Sequence, residues 1–209
     1  MGDASTAVPL DSRIWTALML LALGVAILPP PSVSKRAIEL SAALPAADAK
    51  GLRLDDDRLP HITLTQQFVA EQDVDAVLAT IEATMTNYDT LHLNVTGPGR
   101  GQSAVWMSIT PALDLVELHR ELMDGLSRFE RQDGTAAAFV DGEARPGDVA
   151  CVTGFRRSSS YAAFRPHITL GHSSTLPAVE PLVFDASTIA ACQLGRFCTC
   201  RRVLRRWEL

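Results

Sequence analysis

Apolar and polar positions alternate along the chain with two different periods, and together they predict strands interspersed with helices. Residues 14–28 form a continuous apolar run, which fits either a short helix leading into a strand or one long buried strand. Period-two alternation and further apolar segments predict strands at 59–65, 91–95, 104–109, 164–171, 186–194 and 197–209. Apolar spacings of three and four predict helices that begin at Ser32, Glu71 and Thr110, and Ser32 and Thr110 are expected to act as N-caps.

Segments rich in glycine, proline and small polar residues predict the connections. Residues 97–101 (GPGRG) indicate a plain turn, and residues 134–160 indicate a loop with at most a short helix. Residues 1–13 are expected to form a flexible tail, and residues 14–209 a single domain. Few clean strand–helix–strand spacings occur, so we expect an α+β fold with antiparallel sheets.

Composition narrows the class of protein and its partners. The chain of 209 residues is 47% hydrophobic and 21% charged, which is typical of soluble globular proteins. The net charge of −5 argues against a long nucleic acid duplex as a partner. The apolar run at 17–28 is too short to span a bilayer, so we expect no membrane association, with tethering through this run as a weaker alternative. Four cysteines without a CxxC pair predict a reducing, cytoplasmic location. No zinc site is expected at Cys198 and Cys200, because no partner histidine or second cysteine pair lies nearby in the sequence.

One pentapeptide, PHITL, occurs twice, at residues 60–64 and 166–170, about half a chain apart. On a strand, a histidine and a threonine two positions apart face the same side, and the isoleucine and leucine face the other. Two such strands related by a pseudo-two-fold axis would bring both motif histidines (His61 and His167) and both motif threonines (Thr63 and Thr169) to one cleft.

This residue set fits acid–base chemistry on a phosphate ester. Histidine serves as base or acid near pH 7, so one ring would activate the attacking oxygen while the other protonates the leaving oxygen. The threonine hydroxyls would bind the non-bridging phosphate oxygens and stabilise their growing charge. We therefore expect catalysis without a metal or another cofactor.

The chain resembles the 2H phosphoesterase superfamily, and within it the LigT-like branch of 2′-5′ RNA ligases and 2′,3′-cyclic phosphodiesterases. The two motifs carry the resemblance, together with AILPP at 26–30, AVWM at 104–107 and FRPHITLG at 164–171. The resemblance implies a bilobal α+β fold: two antiparallel sheets with helices outside, and a central cleft between the lobes.

The same resemblance implies an enzyme. We expect a monomer that hydrolyses 2′,3′-cyclic phosphates on small nucleotides or RNA ends, or joins 2′-5′ linkages in reverse. Neither motif histidine is assigned as the base or the acid. A binding module that holds a nucleotide or a 2′-phosphate in the same cleft without turnover is the alternative.

Other residues with functional side chains also fit ordinary structural roles. His92 and His119 are expected on solvent-facing surfaces, and Trp106 is expected in the core. Arg157 and Arg165 fit either the cleft or a solvated face, and the sequence leaves that choice open.

Overall fold

The computed structural model describes residues 19–48 and 51–209. Its eight strands are β1 (Leu20–Leu28), β2 (Ile62–Ala70), β3 (Leu91–Arg100), β4 (Ala104–Ile109), β5 (His167–His172), β6 (Leu182–Ala186), β7 (Thr188–Leu194) and β8 (Cys200–Glu208). Its four α-helices are α1 (Pro31–Ala42), α2 (Val74–Met85), α3 (Leu113–Gly125) and α4 (Pro146–Ser158). The α+β class is confirmed. The expected tail at 1–13 and the first residues of the run at 14–28 lie outside the described residues.

The strands form one antiparallel sheet in the order β6-β3-β4-β5-β2-β1-β7-β8. This differs from the two sheets that we expected. The halves β6-β3-β4-β5 and β2-β1-β7-β8 are joined at the centre through the pair Ile62–Ile168. Since these isoleucines belong to the two PHITL motifs, the narrow junction of the sheet is also the place where the motifs meet.

The two faces of the sheet are covered differently. In β1 the odd-numbered residues from Leu21 to Ile27 belong to the main hydrophobic core, which also contains the apolar faces of α1, α2 and α3. Ala22 points to the opposite face and belongs to a smaller cluster with Phe68 of β2 and Val152 of α4. Helix α4 therefore lies alone, among the four helices, on the second face, where it packs against β2.

Helix α4 corrects the expected loop at residues 134–160. Gly147 and Gly154 lower the helical propensity of this segment, which is why the sequence indicated a loop. Pro146 occupies the first turn, however, and the Asp148 carboxylate accepts a hydrogen bond from the backbone N–H of Arg145 at 2.9 Å. Proline at the first turn and an acidic residue that caps the backbone are favourable helix starts, so the helix runs for 13 residues.

Residues 97–101 do not form the expected turn. Strand β3 continues to Arg100 and pairs with β4 up to Val105, so the turn follows at residues 101–103. The predicted helix caps are wrong as well: Pro30 precedes α1 and Ala112 precedes α3, and neither side chain caps its helix. None of the helices in the described part of the chain is long and apolar enough to cross a membrane.

Candidate active site

The two PHITL motifs lie side by side at the centre of the sheet. His61 directly precedes β2, and His167 is the first residue of β5. These strands are antiparallel and meet at the motif isoleucines, so the residues flanking each isoleucine face the same side. The motif isoleucines and leucines are fully buried behind them. The motif histidines and threonines line one cavity of about 370 Å³: His61, Thr63, His167 and Thr169.

A β-bulge interrupts each motif at its leucine. Thr63 and Thr65 pair with consecutive residues of β1, so Leu64 between them has no partner. On β5, Thr169 and Gly171 likewise pair with consecutive residues of β4, so Leu170 has no partner. Beyond a bulge the side chains change faces. On β2 this change turns Gln66, in place of Thr65, into the cavity. Strict alternation would place Thr65 there, so the sequence pattern does not predict Gln66 at the cavity.

His119 of α3 binds the carbonyl that the first bulge leaves unpaired. Its Nδ1 lies 2.7 Å from the Leu64 carbonyl oxygen, and its Nε2 accepts a hydrogen bond from the Tyr161 backbone N–H at 2.9 Å. The ring stacks on Phe164, with the centroids 3.9 Å apart. His119 is fully buried, so its predicted surface position is wrong. The signal was present, because His119 continues the apolar stripe of α3 with spacings of three and four.

Ser41 of α1 does the same at the second bulge. Its hydroxyl donates to the Leu170 carbonyl at 2.6 Å and accepts a hydrogen bond from the Leu54 backbone N–H at 2.9 Å. Ser41 is fully buried. Each motif strand is thus fixed from behind by one polar side chain of a helix. The hydrogen bonds of these two residues to the motif strands were not predicted, because the bulges that require them are features of strand register.

Backbone hydrogen bonds fix both motif histidines in the same tautomer. His61 Nδ1 lies 2.7 Å from the Leu59 carbonyl oxygen, and His167 Nδ1 lies 2.7 Å from the Arg165 carbonyl oxygen. A carbonyl only accepts, so in the neutral ring Nδ1 carries the hydrogen and Nε2 keeps a lone pair. Each Nε2 is therefore able to take a proton from a ligand in the cavity or, once protonated, to donate one.

Burial lowers the pKa of both motif histidines. For His61, desolvation is the largest cause, the hydrogen bond to Leu59 opposes it, and the nearby charge of His167 lowers the pKa further. For His167, desolvation outweighs the opposing hydrogen bond to Arg165. Both rings are therefore mainly neutral at pH 7. Because the charge of His167 lowers the pKa of His61, protonation of one ring disfavours protonation of the other.

Trp106 supports His167 from the neighbouring strand. It pairs with Thr169 across β4 and β5, and its ring centroid lies 4.9 Å from that of His167. The side chain is half-buried, so the predicted core position is only partly correct. A Cβ atom on Gly99 of β3 would overlap the indole nitrogen of Trp106. Gly99 thus leaves room for the indole across the strand.

The remaining walls of the cavity are mostly apolar and come from loops and from α4. Aromatic and aliphatic side chains face it on several sides: Leu52, Leu54, Phe155, Phe164 and Phe197. Arg165 lies at the cavity, which resolves the choice that the sequence left open for this residue. Arg157 lies instead at a larger hollow of about 820 Å³ along the other side of α4, which contains no motif residue.

A metal site was not expected. Among the residues that the structure describes, no three histidine, cysteine, aspartate or glutamate side chains are grouped so that they could hold a metal ion. Cys198 faces the cavity, while Cys200 is buried with Cys192.

Comparison with known proteins agrees with this architecture. Residues 29–201 match the family model of the 2′-5′ RNA ligase superfamily. No curated protein is a significant match to the sequence. Escherichia coli LigT in complex with NADP⁺ is similar in structure, with a TM-score of 0.58, 18% identity and coverage of 91% of this chain and 98% of that one.

Two further solved structures are similar to the same degree. Escherichia coli LigT in complex with 3′-AMP has a TM-score of 0.58 and 19% identity, and covers 91% of this chain and 98% of its own. The TT0787 protein of Thermus thermophilus has a TM-score of 0.58 and 16% identity, and covers 90% of this chain and 98% of its own. At these identities the similarity establishes the fold, and the family is established by the match over residues 29–201. The chain belongs to the 2′-5′ RNA ligase superfamily and has the fold of LigT.

Proposed function

We propose that the protein is a metal-independent phosphodiesterase that opens 2′,3′-cyclic phosphates on nucleotides or RNA ends. The observation that carries the proposal is the pair of motif histidines, each with a lone pair on Nε2, in one cavity with two threonine hydroxyls. Membership of a family of phosphoesterases and ligases supports an enzyme over a binding module.

In the proposed reaction one motif histidine takes a proton from water as the water oxygen attacks phosphorus. The other histidine, protonated, donates to the ribose oxygen as the bond between that oxygen and phosphorus breaks. The threonine hydroxyls donate to the non-bridging oxygens, whose negative charge grows in the transition state. The same sequence with the 5′-hydroxyl of a second nucleotide in place of water, and with O3′ leaving, would form a 2′-5′ linkage. Its reverse would cleave that linkage and close the ring.

The walls of the cavity support a nucleotide as the substrate. Phe155, Phe164 and Phe197 offer apolar surface for a base, and Arg165 offers a cation for a phosphate. LigT structures that share this fold hold NADP⁺, 3′-AMP and ATP. The net charge of −5 fits a locally held anion better than a long duplex.

The proposal includes the organisation of the chain. Each four-stranded half of the sheet contributes one motif strand at its inner edge, β5 from one half and β2 from the other. We therefore propose one bilobal domain with pseudo-two-fold symmetry and its active site between the halves. That the protein acts as a monomer in the cytoplasm remains a prediction.

A substrate panel tests the reaction class. Purified protein is incubated with 2′,3′-cyclic nucleotides, a 2′-5′ dinucleotide and RNA ending in a cyclic phosphate, and the position of the product phosphate is read by phosphorus NMR. We expect ring opening to a single monoester isomer at an unchanged rate in EDTA. Calorimetry with 2′-AMP is run in parallel: tight binding without turnover of any substrate would favour the binding module and contradict the proposal.

A further inference from the structure

Two cysteine thiols lie in the wall of the candidate active site. Cys151 lies on α4 and is exposed, and Cys198 lies at the end of the turn between β7 and β8 and is buried. Both line the cavity that contains the motif histidines. The Cys151 sulfur lies 4.0 Å from the Gln66 side-chain oxygen.

The start of α4 brings the two thiols near each other. The Cys198 sulfur lies 3.6 Å from the Asp148 carbonyl oxygen, one turn before Cys151 on the same helix. The Arg145 guanidinium lies over the Phe197 ring, 3.8 Å from its centroid, and also pairs with Asp148 at 2.6 Å. These contacts dock the turn that carries Cys198 onto the helix that carries Cys151.

The backbone of that turn is strained. Phe197 and Cys198 have φ angles of 64° and 55°, so two consecutive non-glycine residues occupy the left-handed region. Such conformations are unfavourable for residues with a Cβ and cluster at functional sites. The strained pair here is part of the cavity wall.

The two thiols differ in exposure, and their pKa values shift in opposite directions. A hydrogen bond from Cys198 lowers the pKa of Cys151 to about 7, against the opposing effects of burial and the Asp148 charge. The pKa of Cys198 is raised by the contact with Cys151 and by burial. An exposed thiolate is the form that attacks oxidants, and a neighbouring thiol is the group that resolves the product.

We propose that Cys151 and Cys198 form a peroxide-reactive thiol pair whose disulfide joins two walls of the active-site cavity. The Cys151 thiolate attacks one oxygen of hydrogen peroxide, the O–O bond breaks, and a sulfenic acid and hydroxide form. The Cys198 thiol then attacks the sulfenic sulfur, the S–S bond forms, and the sulfenic oxygen leaves as water with the Cys198 proton. Two electrons pass from the two sulfurs to peroxide.

The disulfide would fix α4 to the turn at residues 196–198 and draw Cys151 towards Cys198. Phe155 and Phe197, which we propose as walls for the base, lie on these two elements. We therefore expect oxidation to lower turnover and reduction to restore it. This consequence rests on the proposed function, whereas formation of the disulfide does not.

The chain contains a matched control pair. Cys192 and Cys200 on the neighbouring strands β7 and β8 also pack together in one buried cluster. Both are buried, among Ala26 and Ala190, and neither lines the cavity. Contact alone would make both pairs react with peroxide, while the proposal predicts reaction at Cys151 and Cys198 only.

The test treats reduced, desalted protein with hydrogen peroxide and measures intact mass, cross-linked peptides and turnover. We expect loss of two hydrogen atoms, a linked peptide that joins Cys151 to Cys198, and reversal by dithiothreitol. The linkage should be absent in Cys151→Ser, whose exposed position tolerates the change, and in Cys198→Ser, and should persist in Cys192→Ala. Turnover of the wild-type protein should fall in proportion to the linked fraction.

Two mass results would overturn the proposal: no linked species in the wild-type protein, or a linkage between Cys192 and Cys200 in its place. If the reduced protein is active and the fully disulfide-linked protein turns over substrate at the same rate, the inference that the disulfide controls the cavity is wrong. Absence of turnover before and after oxidation would contradict the proposed phosphodiesterase instead, and the mass measurement would still decide the thiol chemistry.

Discussion

Replacing His119 with phenylalanine tests whether a buried histidine fixes the first motif strand. The substitution keeps an aromatic ring that can stack on Phe164 but removes both hydrogen bonds, to the Leu64 carbonyl and from the Tyr161 N–H. Leaving a buried backbone group unpaired costs about 1–3 kcal/mol. The substitution removes the partner of two such groups, but the Leu64 carbonyl keeps a second lone pair, which lowers its cost. We therefore expect the free energy of unfolding to fall by about 2–4 kcal/mol in total.

A loss of this size is measurable without abolishing the fold, because domains are stable by about 5–15 kcal/mol. Urea unfolding followed by circular dichroism should show a lower midpoint and an unchanged slope. His92→Phe is the control, since His92 is exposed and makes its contact, with Asp185, at the surface. Its effect should stay within about 0.5 kcal/mol.

The second bulge allows the same experiment on the other motif. Ser41→Ala removes the hydroxyl that binds the Leu170 carbonyl and the Leu54 N–H, so a comparable loss of about 2–4 kcal/mol is expected. If His119→Phe and Ser41→Ala were both as mild as His92→Phe, the bulged carbonyls would not depend on these side chains. The explanation of how the motif strands are fixed would then be refuted.

Four further predictions concern the chemistry and the support of the site. Because burial lowers the pKa of both motif histidines, the form with one ring protonated is most populated below pH 6.5, and kcat/KM for a cyclic nucleotide should peak there; a peak above pH 7.5 would contradict this. The lowered pKa values also make the free energy of unfolding depend on pH. Their contribution is complete above the unfolded pKa of about 6.5 and declines as the pH falls towards the lowered folded values. Unfolding at several pH values would measure this decline. Gly99→Ala should displace the Trp106 indole, lower stability by about 1–3 kcal/mol and reduce turnover, whereas Gly147→Ala, where an added Cβ meets no atom within 4 Å, should do neither. Replacing either motif threonine with valine should lower kcat by about 10²–10³, and a change below tenfold would remove the threonines from the proposed mechanism.

The sequence predicted much of the sheet and the centre of the candidate site, because both follow from local patterns. Period-two alternation located the strands around both motifs, and the repeat itself indicated that His61 and His167 meet. Features set by strand register were not predictable. The bulges at Leu64 and Leu170 determine that Gln66 faces the cavity and that two carbonyls need partners, and alternation in a single strand contains no information on pairing.

Other misses arose where local propensity and tertiary packing disagree. Two glycines and three consecutive serines outweighed the favourable start of α4 at Pro146, although Val152 and Phe155 have the spacing of a buried helical face. His119 was placed at the surface by its polar neighbours, although the core accepts a histidine when both ring nitrogens are bonded. The meeting of Cys151 with Cys198 depends on how α4 docks, which a single sequence does not specify.

We propose that two histidines from the repeated motif act on one phosphate. The turnover of a 2′,3′-cyclic nucleotide by His61→Ala and by His167→Ala, with His92→Ala as the control, measures whether both are needed. We expect each motif variant to lose about 10²–10⁴ in kcat while its circular dichroism spectrum and thermal unfolding remain native, and the control to keep its rate. Near-normal turnover in either folded motif variant would contradict the two-histidine mechanism.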